Sequence, residues 1–297
     1  MTQTIFEKVK TAISVLKLDF TTEEFATFAD DQELSEEAIE AVQTVFSYIS
    51  EKKQQTTVQT LLKLSQLPKK APKTFENFDF SLLKSRDLDR IRALPSLGAV
   101  YSHRNLSFIG PPGTGKTHLA QAFGYACCQH GMRAYFIKAS ELRDRFTAAR
   151  RVGKTDSCLK SLVRPSCLII DEIGHCEFDK ENTRLFFDLI DRRYNKEGNF
   201  NMVFTSNKNP ALWREDFNED ATLLCALDRI FDEATVFKLR GESFRGKKLD
   251  TVSVQTGKVK AVELLADAIC DRIVHDAYTI VIGGKESMRK RKGLQDV

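Results

Sequence analysis

Eight residues constrain this chain more than any others: Gly110-Pro111-Pro112-Gly113-Thr114-Gly115-Lys116-Thr117. They follow directly on the apolar run Leu106 to Ile109 and precede a stretch with helical spacing. A G-x-x-x-x-G-K-T string between a buried strand and a helix is a phosphate-binding loop. Its glycines let backbone N–H groups turn inward around a phosphate, and the helix N-terminus adds its positive end. Lys116 can reach β- and γ-phosphates, and Thr117 can offer a hydroxyl to Mg²⁺. His118, next on the helix, is placed with the loop as a nucleotide contact.

The surrounding pattern fits that demand. Leu106 to Ile109, Ala134 to Ile137, Cys167 to Ile170 and Met202 to Thr205 are short apolar runs suited to strands buried on both faces. Between them lie amphipathic stretches such as Leu185, Phe186, Leu189, Ile190 and Tyr194. Strand–helix alternation predicts right-handed crossovers and a parallel sheet flanked by helices, an α/β fold. Ligands of such sheets sit at the carboxyl ends of the strands. Polar residues gather at those ends. Cys167 to Ile170 runs into Asp171 and Glu172, costly for a buried strand unless a cation neutralises them. Asp171 suits a Mg²⁺ shell, and Glu172 suits orienting and deprotonating an attacking water. Asn207, at the tip of the next run, can hold the water or the γ-phosphate. For Arg229 and Arg245 the residues alone leave a surface salt bridge and a catalytic cation both open.

The order of these motifs is similar to the IstB/DnaC-like branch of the AAA+ ATPases, P-loop proteins with this parallel sheet. The matching residues are Gly113 to Ala120, Ile169 to Gly174, Thr205-Ser206-Asn207, Arg193-Tyr194, the Trp213 segment, Asp228-Arg229 and Gly241-Glu242-Ser243-Phe244-Arg245. The resemblance runs from about Leu67 to Arg245. It implies ATP and Mg²⁺ as ligands and ATP hydrolysis as the reaction. It also makes Asn207 the sensor-1 residue, Arg229 an arginine finger acting on a neighbouring subunit, and Arg245 the sensor-2 arginine. Phe244 stands where the family usually has tyrosine. Two roles follow from this branch: a transposition helper that oligomerises on DNA and recruits or stimulates a transposase, or a loader of a replicative helicase. A third, from another class, is an ATP-gated scaffold. Glu172 speaks against it, because a pure binding switch needs no water-activating carboxylate.

Ahead of the ATPase the chain reads as helices. Ile5, Val9, Ile13 and Leu16 share helical spacing, as do Ile39, Val42, Phe46 and Ile49, and a third run, Val58, Leu61 and Leu62, ends at Pro68. Thr21 and Glu24 form a capping-box pair. Pro68 to Lys73 reads as a stiff, charged hinge. The expected division is a helical module over 1–67, a linker over 68–73, the ATPase over 74–250 and an extension over 251–297. A helix over Val259 to Ala277 and a basic end at Lys285, Arg289, Lys290, Arg291 and Lys292 make up the extension. Where the family has an arginine-rich stretch in its N-terminal segment, this chain has Glu51-Lys52-Lys53-Gln54-Gln55.

Charge distinguishes the two ends. Residues 1–51 hold three lysines, no arginine and eleven acids, so the remainder is basic although the whole is only +4. An acidic front and a basic remainder suggest that one part meets protein and another a polyanion. Arg143, Arg145, Arg150, Arg151, Lys154, Lys160 and Arg164 crowd the crossover between the second and third apolar runs. An extra helix there marks the initiator-type AAA+ clade and lines DNA in its assemblies, so sequence-tolerant DNA binding is expected. No apolar run approaches 18 residues, so no spanning helix is expected. Charges through the first 20 residues leave no signal peptide. The seven cysteines form no C-x-x-C pair and the five histidines show no metal spacing. A reduced, soluble, cytoplasmic protein without a membrane partner is the expectation.

Overall fold

A computed structural model describes residues 3–83, 88–218, 220–232, 234–240, 251–255 and 279–283. Three helices come first: α1 (Gln3–Leu16), α2 (Thr22–Asp31) and α3 (Glu36–Leu64). The capping box forms as expected: the Thr21 amide donates to Glu24 Oε2 at 2.6 Å and the Glu24 amide to Thr21 Oγ1 at 3.1 Å. Val9 and Ala12 of α1 and Phe25 and Ala29 of α2 are buried, and Phe25 packs against Phe46 of α3 at 6.3 Å between rings.

The two later apolar runs of this region are one helix of 29 residues, not two. Glu51 to Gln55 interrupt the apolar stripe, but straight-chain residues without Gly or Pro keep the backbone helical. Thr56, Thr57 and Thr60 donate back to carbonyls four residues earlier, satisfying hydroxyls that have nothing else to meet. Residues 51–57 are exposed and make a polar bridge, which Lys53 ties to α1 by donating from Nζ to the Leu16 carbonyl at 2.7 Å. Its far end lands on the second unit: Leu61 and Leu62 pack on the core there, Leu67 is buried in it, and the Phe136 amide donates to the Ser65 carbonyl at 2.8 Å. Residues 68–73 then run without helix or strand.

The second unit is a five-stranded parallel sheet: β1 (Leu106–Ile109), β2 (Ala134–Lys138), β3 (Cys167–Ile173), β4 (Asn201–Ser206) and β5 (Thr235–Lys238), in the order β2-β3-β4-β1-β5. All four expected apolar runs are strands. β5 is an addition, because four residues between polar neighbours give no periodic signal. On one face α6 (Lys116–Gln129) packs with a strap that includes Phe75, Phe78 and the short helices α4 (Leu88–Arg92) and α5 (Gly98–Tyr101). On the other lie α7 (Ala139–Arg151), α8 (Thr155–Val163), α9 (Lys180–Tyr194) and α10 (Asp220–Phe231). β1 sits between β4 and β5, yet the chain leaves it for the far edge at β2. That reversal opens a crevice at the carboxyl ends of β1, β3 and β4, where the motifs fall.

Beyond the sheet, β6 (Thr251–Gln255) pairs in parallel with β7 (Thr279–Gly283). These strands were not expected. The helix expected over Val259 to Ala277, Arg245 and the basic end at 285–292 lie outside the described residues. Among the described residues no helix is long and apolar enough to cross a membrane.

Candidate nucleotide site

The loop after β1 is built by close approach. The Leu239 amide donates to the Ile109 carbonyl at 2.7 Å, which carries the Leu239 carbonyl over Gly110; a Cβ at Gly110 would collide with it. Gly115 adopts φ +84°, a left-handed turn that swings the chain into α6. No side chain caps that helix start, so its first N–H groups remain available to an anion. Within the loop, Thr114 Oγ1 donates to the Pro111 carbonyl at 2.8 Å. Lys116 is buried, and its ammonium donates to the carbonyls of Gly110 at 2.8 Å and Pro111 at 2.6 Å. Gly113, Pro112 and Thr117 complete the turn. His118 is directed elsewhere. Its Nε2 lies 2.9 Å from the Thr74 carbonyl and its ring meets Phe78 edge-on at 5.0 Å. Burial pushes its pKa down. The ring therefore ties the strap to α6.

Asp171 and Glu172 are adjacent in sequence but face different surroundings. Asp171 is 1% exposed; its Oδ1 accepts from Thr117 Oγ1 at 2.9 Å and from Thr205 Oγ1 at 2.5 Å. Among the described residues, hydroxyls are the hydrogen-bond donors to this buried carboxylate, which leaves it short of positive charge. One carboxylate oxygen beside one hydroxyl oxygen is the hard-oxygen set that Mg²⁺ takes with phosphates and water. These residues fit the ion. At Glu172 the register between β3 and β4 shifts and the backbone enters the left-handed region, φ +61°. That kink turns the half-buried Glu172 side chain away from Asp171. The Glu172 amide donates to Thr205 Oγ1 at 2.9 Å, and Lys138 Nζ, at the end of β2, lies 3.4 Å from Glu172 Oε2.

Asn207 is exposed just past β4, with its Nδ2 3.0 Å from His175 Nε2. Its neighbour Ser206 anchors the turn: Ser206 Oγ donates to the Ile173 carbonyl at 2.6 Å and accepts from Trp213 Nε1 at 3.0 Å. Sequence reasoning passed over Thr205, Lys138 and His175 as participants. The signal for Lys138 was its place directly after the second apolar run, where it ends β2 in register with Asp171. Thr205 lay inside a quoted motif without a role.

Arg229, on α10, is half-buried against α9. Its Nε is 3.2 Å from Asp191 Oδ1 and its Nη1 donates to the Cys225 carbonyl at 3.2 Å. The basic crossover divides. Arg145 donates to Tyr135 Oη and Ser161 Oγ, both at 2.7 Å, and clamps α7 to α8 and the sheet. Arg150 reaches Asp179 at 3.0 Å, Arg143 pairs with Asp144 at 2.8 Å and Lys160 with Asp156 at 2.8 Å. Arg151, Lys154 and Arg164 are exposed with no ion pair among the described residues.

The family profile described as IstB-like ATP binding protein matches residues 11–251. The chain belongs to the IstB-like ATP-binding family. It is 38% identical over 193 residues to the insertion sequence IS5376 ATP-binding protein of Geobacillus stearothermophilus, covering 65% of this chain and 75% of that one. With the IS232 ATP-binding protein of Bacillus thuringiensis subsp. berliner it shares 31% over 245 residues, 82% of this chain and 95% of the other. The IS21 ATP-binding protein of Pseudomonas aeruginosa is 35% identical over 202 residues, 68% and 74% of the two chains. Among solved structures, the crystal structure of the DnaC helicase loader superposes with a TM-score of 0.44 at 23% identity, covering 52% of this chain and 89% of that one. The IstB-like assignment accounts for the phosphate loop, the parallel sheet and the helical N-terminal unit together.

Proposed function

We propose that this ATP-binding protein is a Mg²⁺-dependent ATPase that assembles on DNA as a homo-oligomer and recruits or stimulates a transposase. The observation that carries the reading is the pairing of Asp171 with Thr117 beneath the phosphate loop, with Glu172 kinked out beside it. Lys116 and the loop amides bind the phosphates, and Thr117 and Asp171 hold Mg²⁺, which when bound neutralises charge on the phosphate oxygens. Glu172 orients water against the γ-phosphate and takes its proton. Asn207 positions that water or the phosphate. Arg229 acts on the site of a neighbouring subunit, and Arg245 contacts the phosphates of its own. The DNA face is the crossover of α7 and α8, read through its unpaired cations. Residues 1–67 form a helical module whose acidic front, 1–51, suits protein contacts, 68–73 the linker, 74–250 the ATPase and 251–297 an appended segment, in a cytoplasmic protein. Relatives named for insertion sequences favour the transposition role over helicase loading.

Two substitutions test this. Lys116→Ala should abolish nucleotide binding in a fluorescence titration and with it any ATP-dependent assembly. Glu172→Gln should bind Mg²⁺-ATP normally, lose roughly 10²-fold or more in turnover, the scale of lost base catalysis, and accumulate as a DNA-bound oligomer by sizing. Wild-type turnover in Glu172→Gln would make that carboxylate structural and remove the mechanism.

A further inference from the structure

Arg229 is held in a way that an ordinary surface salt bridge does not require. Its guanidinium lies over the Phe187 ring at 5.1 Å and the Tyr194 ring at 5.9 Å. Two of its nitrogens are satisfied at home: Nε by Asp191 at 3.2 Å, Nη1 by the Cys225 carbonyl at 3.2 Å. Among the described residues Nη2 has no partner. Tyr194 is itself fixed, its hydroxyl donating to Asp232 Oδ2 at 2.8 Å. The Arg229 side chain is 31% exposed, so this assembly sits at the protein surface. Four contacts thus set the plane and direction of the guanidinium and leave Nη2 for a further acceptor.

We propose that Phe187, Asp191 and Tyr194 are positioning residues that hold Arg229 ready for the terminal phosphate of nucleotide bound by a second copy of this chain. The proposal rests on the reading of Arg229 as a finger acting between subunits. An arginine loses side-chain freedom when it engages a phosphate. Stacking and an ion pair through Nε fix that side chain before the neighbour arrives, and preorganisation of this kind lowers the cost of association. Nη2 keeps its N–H donors for a phosphoryl oxygen. Asp191 steers without occupying the whole fork, as a bidentate carboxylate would.

The test uses mixed oligomers of the full-length chain on DNA. Arg229→Ala subunits keep an intact site but lack the finger, and Glu172→Gln subunits supply the finger but do not turn over. Hydrolysis in the mixture therefore reports finger donation alone, whatever a donor variant does to its own site. Glu172→Gln should restore hydrolysis, and a Glu172→Gln/Arg229→Ala donor should restore none. Glu172→Gln/Asp191→Asn and Glu172→Gln/Tyr194→Leu donors should restore about 10- to 100-fold less than Glu172→Gln, the scale of a small misplacement of a catalytic group. Their melting temperatures and their entry into mixed oligomers, followed by size measurement, should stay near those of Glu172→Gln. If Glu172→Gln restores nothing although mixed oligomers form, the finger reading itself falls. If Glu172→Gln restores hydrolysis and the Asp191→Asn and Tyr194→Leu donors restore it equally, the finger stands and the positioning proposal is overturned. Loss of mixed assembly in both donors would make these interactions structural and would also overturn it.

Discussion

Thr205 joins the two carboxylates of the site. Its hydroxyl donates to Asp171 and accepts from the Glu172 amide at 2.9 Å, so one buried side chain fixes both the ion-facing carboxylate and the kink beside it. Replacing it with an isosteric apolar group leaves a buried N–H without its acceptor and Asp171 with one donor fewer. Thr205→Val should therefore cost about 1–3 kcal/mol in chemical denaturation, and Thr205→Ser should recover most of it. An unchanged midpoint for Thr205→Val would show that both groups find other partners. The placing of Lys116, Thr117, Asp171 and Glu172 at neighbouring strand ends was readable from sequence because the glycine-rich loop and the two carboxylates each follow an apolar run, where parallel topology fixes their place. The partners of Thr205, Lys138 and His175 were not, because they depend on which strand ends lie side by side. Sequence also could not tell that His118, one residue past the loop, faces the strap.

At the level of elements, the turn between α8 and β3 shows how a buried cation organises backbone. Arg193 of α9 is fully buried and donates to the carbonyls of Leu162, Val163, Pro165, Ser166 and Asn201. Burial pushes its pKa down to about 10. Lys196 reaches the Arg164 and Pro165 carbonyls at 3.2 and 2.9 Å. Burial, then repulsion from Arg193, brings its pKa from 10.5 down to about 8. Between those two values the unfolded chain binds a proton that the folded chain has released, so this group makes stability rise with pH across that window. Below about pH 8 the amine is charged in both states and its cost is fully present. The difference in melting temperature between Lys196→Met and wild type should change across that window, wild type gaining on the variant as pH rises. Parallel curves would contradict the assignment. α3 was misread as two helices because its bridge carries no apolar stripe, and β5 escaped notice because four residues carry no period.

Across the whole molecule the charge asymmetry has a structural counterpart. The acidic helices stand beyond the exposed bridge of α3, and the cations of α7 and α8 lie on the sheet unit. Ion pairs and internal hydrogen bonds engage Arg143, Arg145, Arg150 and Lys160, which narrows the proposed DNA face to Arg151, Lys154 and Arg164. Charge reversal of these three should weaken binding to all DNA sequences alike and flatten the dependence of log affinity on log salt by roughly 0.9 for each phosphate no longer neutralised. Arg145 reversal should instead lower thermal stability, since its guanidinium clamps two helices. Unchanged affinity and slope in the triple variant would move the DNA face to the basic end at 285–292.

The central proposal is that hydrolysis belongs to an assembly rather than to the single chain, with Arg229 of a neighbouring subunit completing the site. Specific ATPase activity per subunit, measured across a dilution series with DNA and Mg²⁺ and paired with sizing at each concentration, tests this most directly. The expected result is activity per subunit that climbs with concentration in step with oligomer formation and then levels off. Constant activity per subunit down to concentrations at which the protein is monomeric would contradict the account.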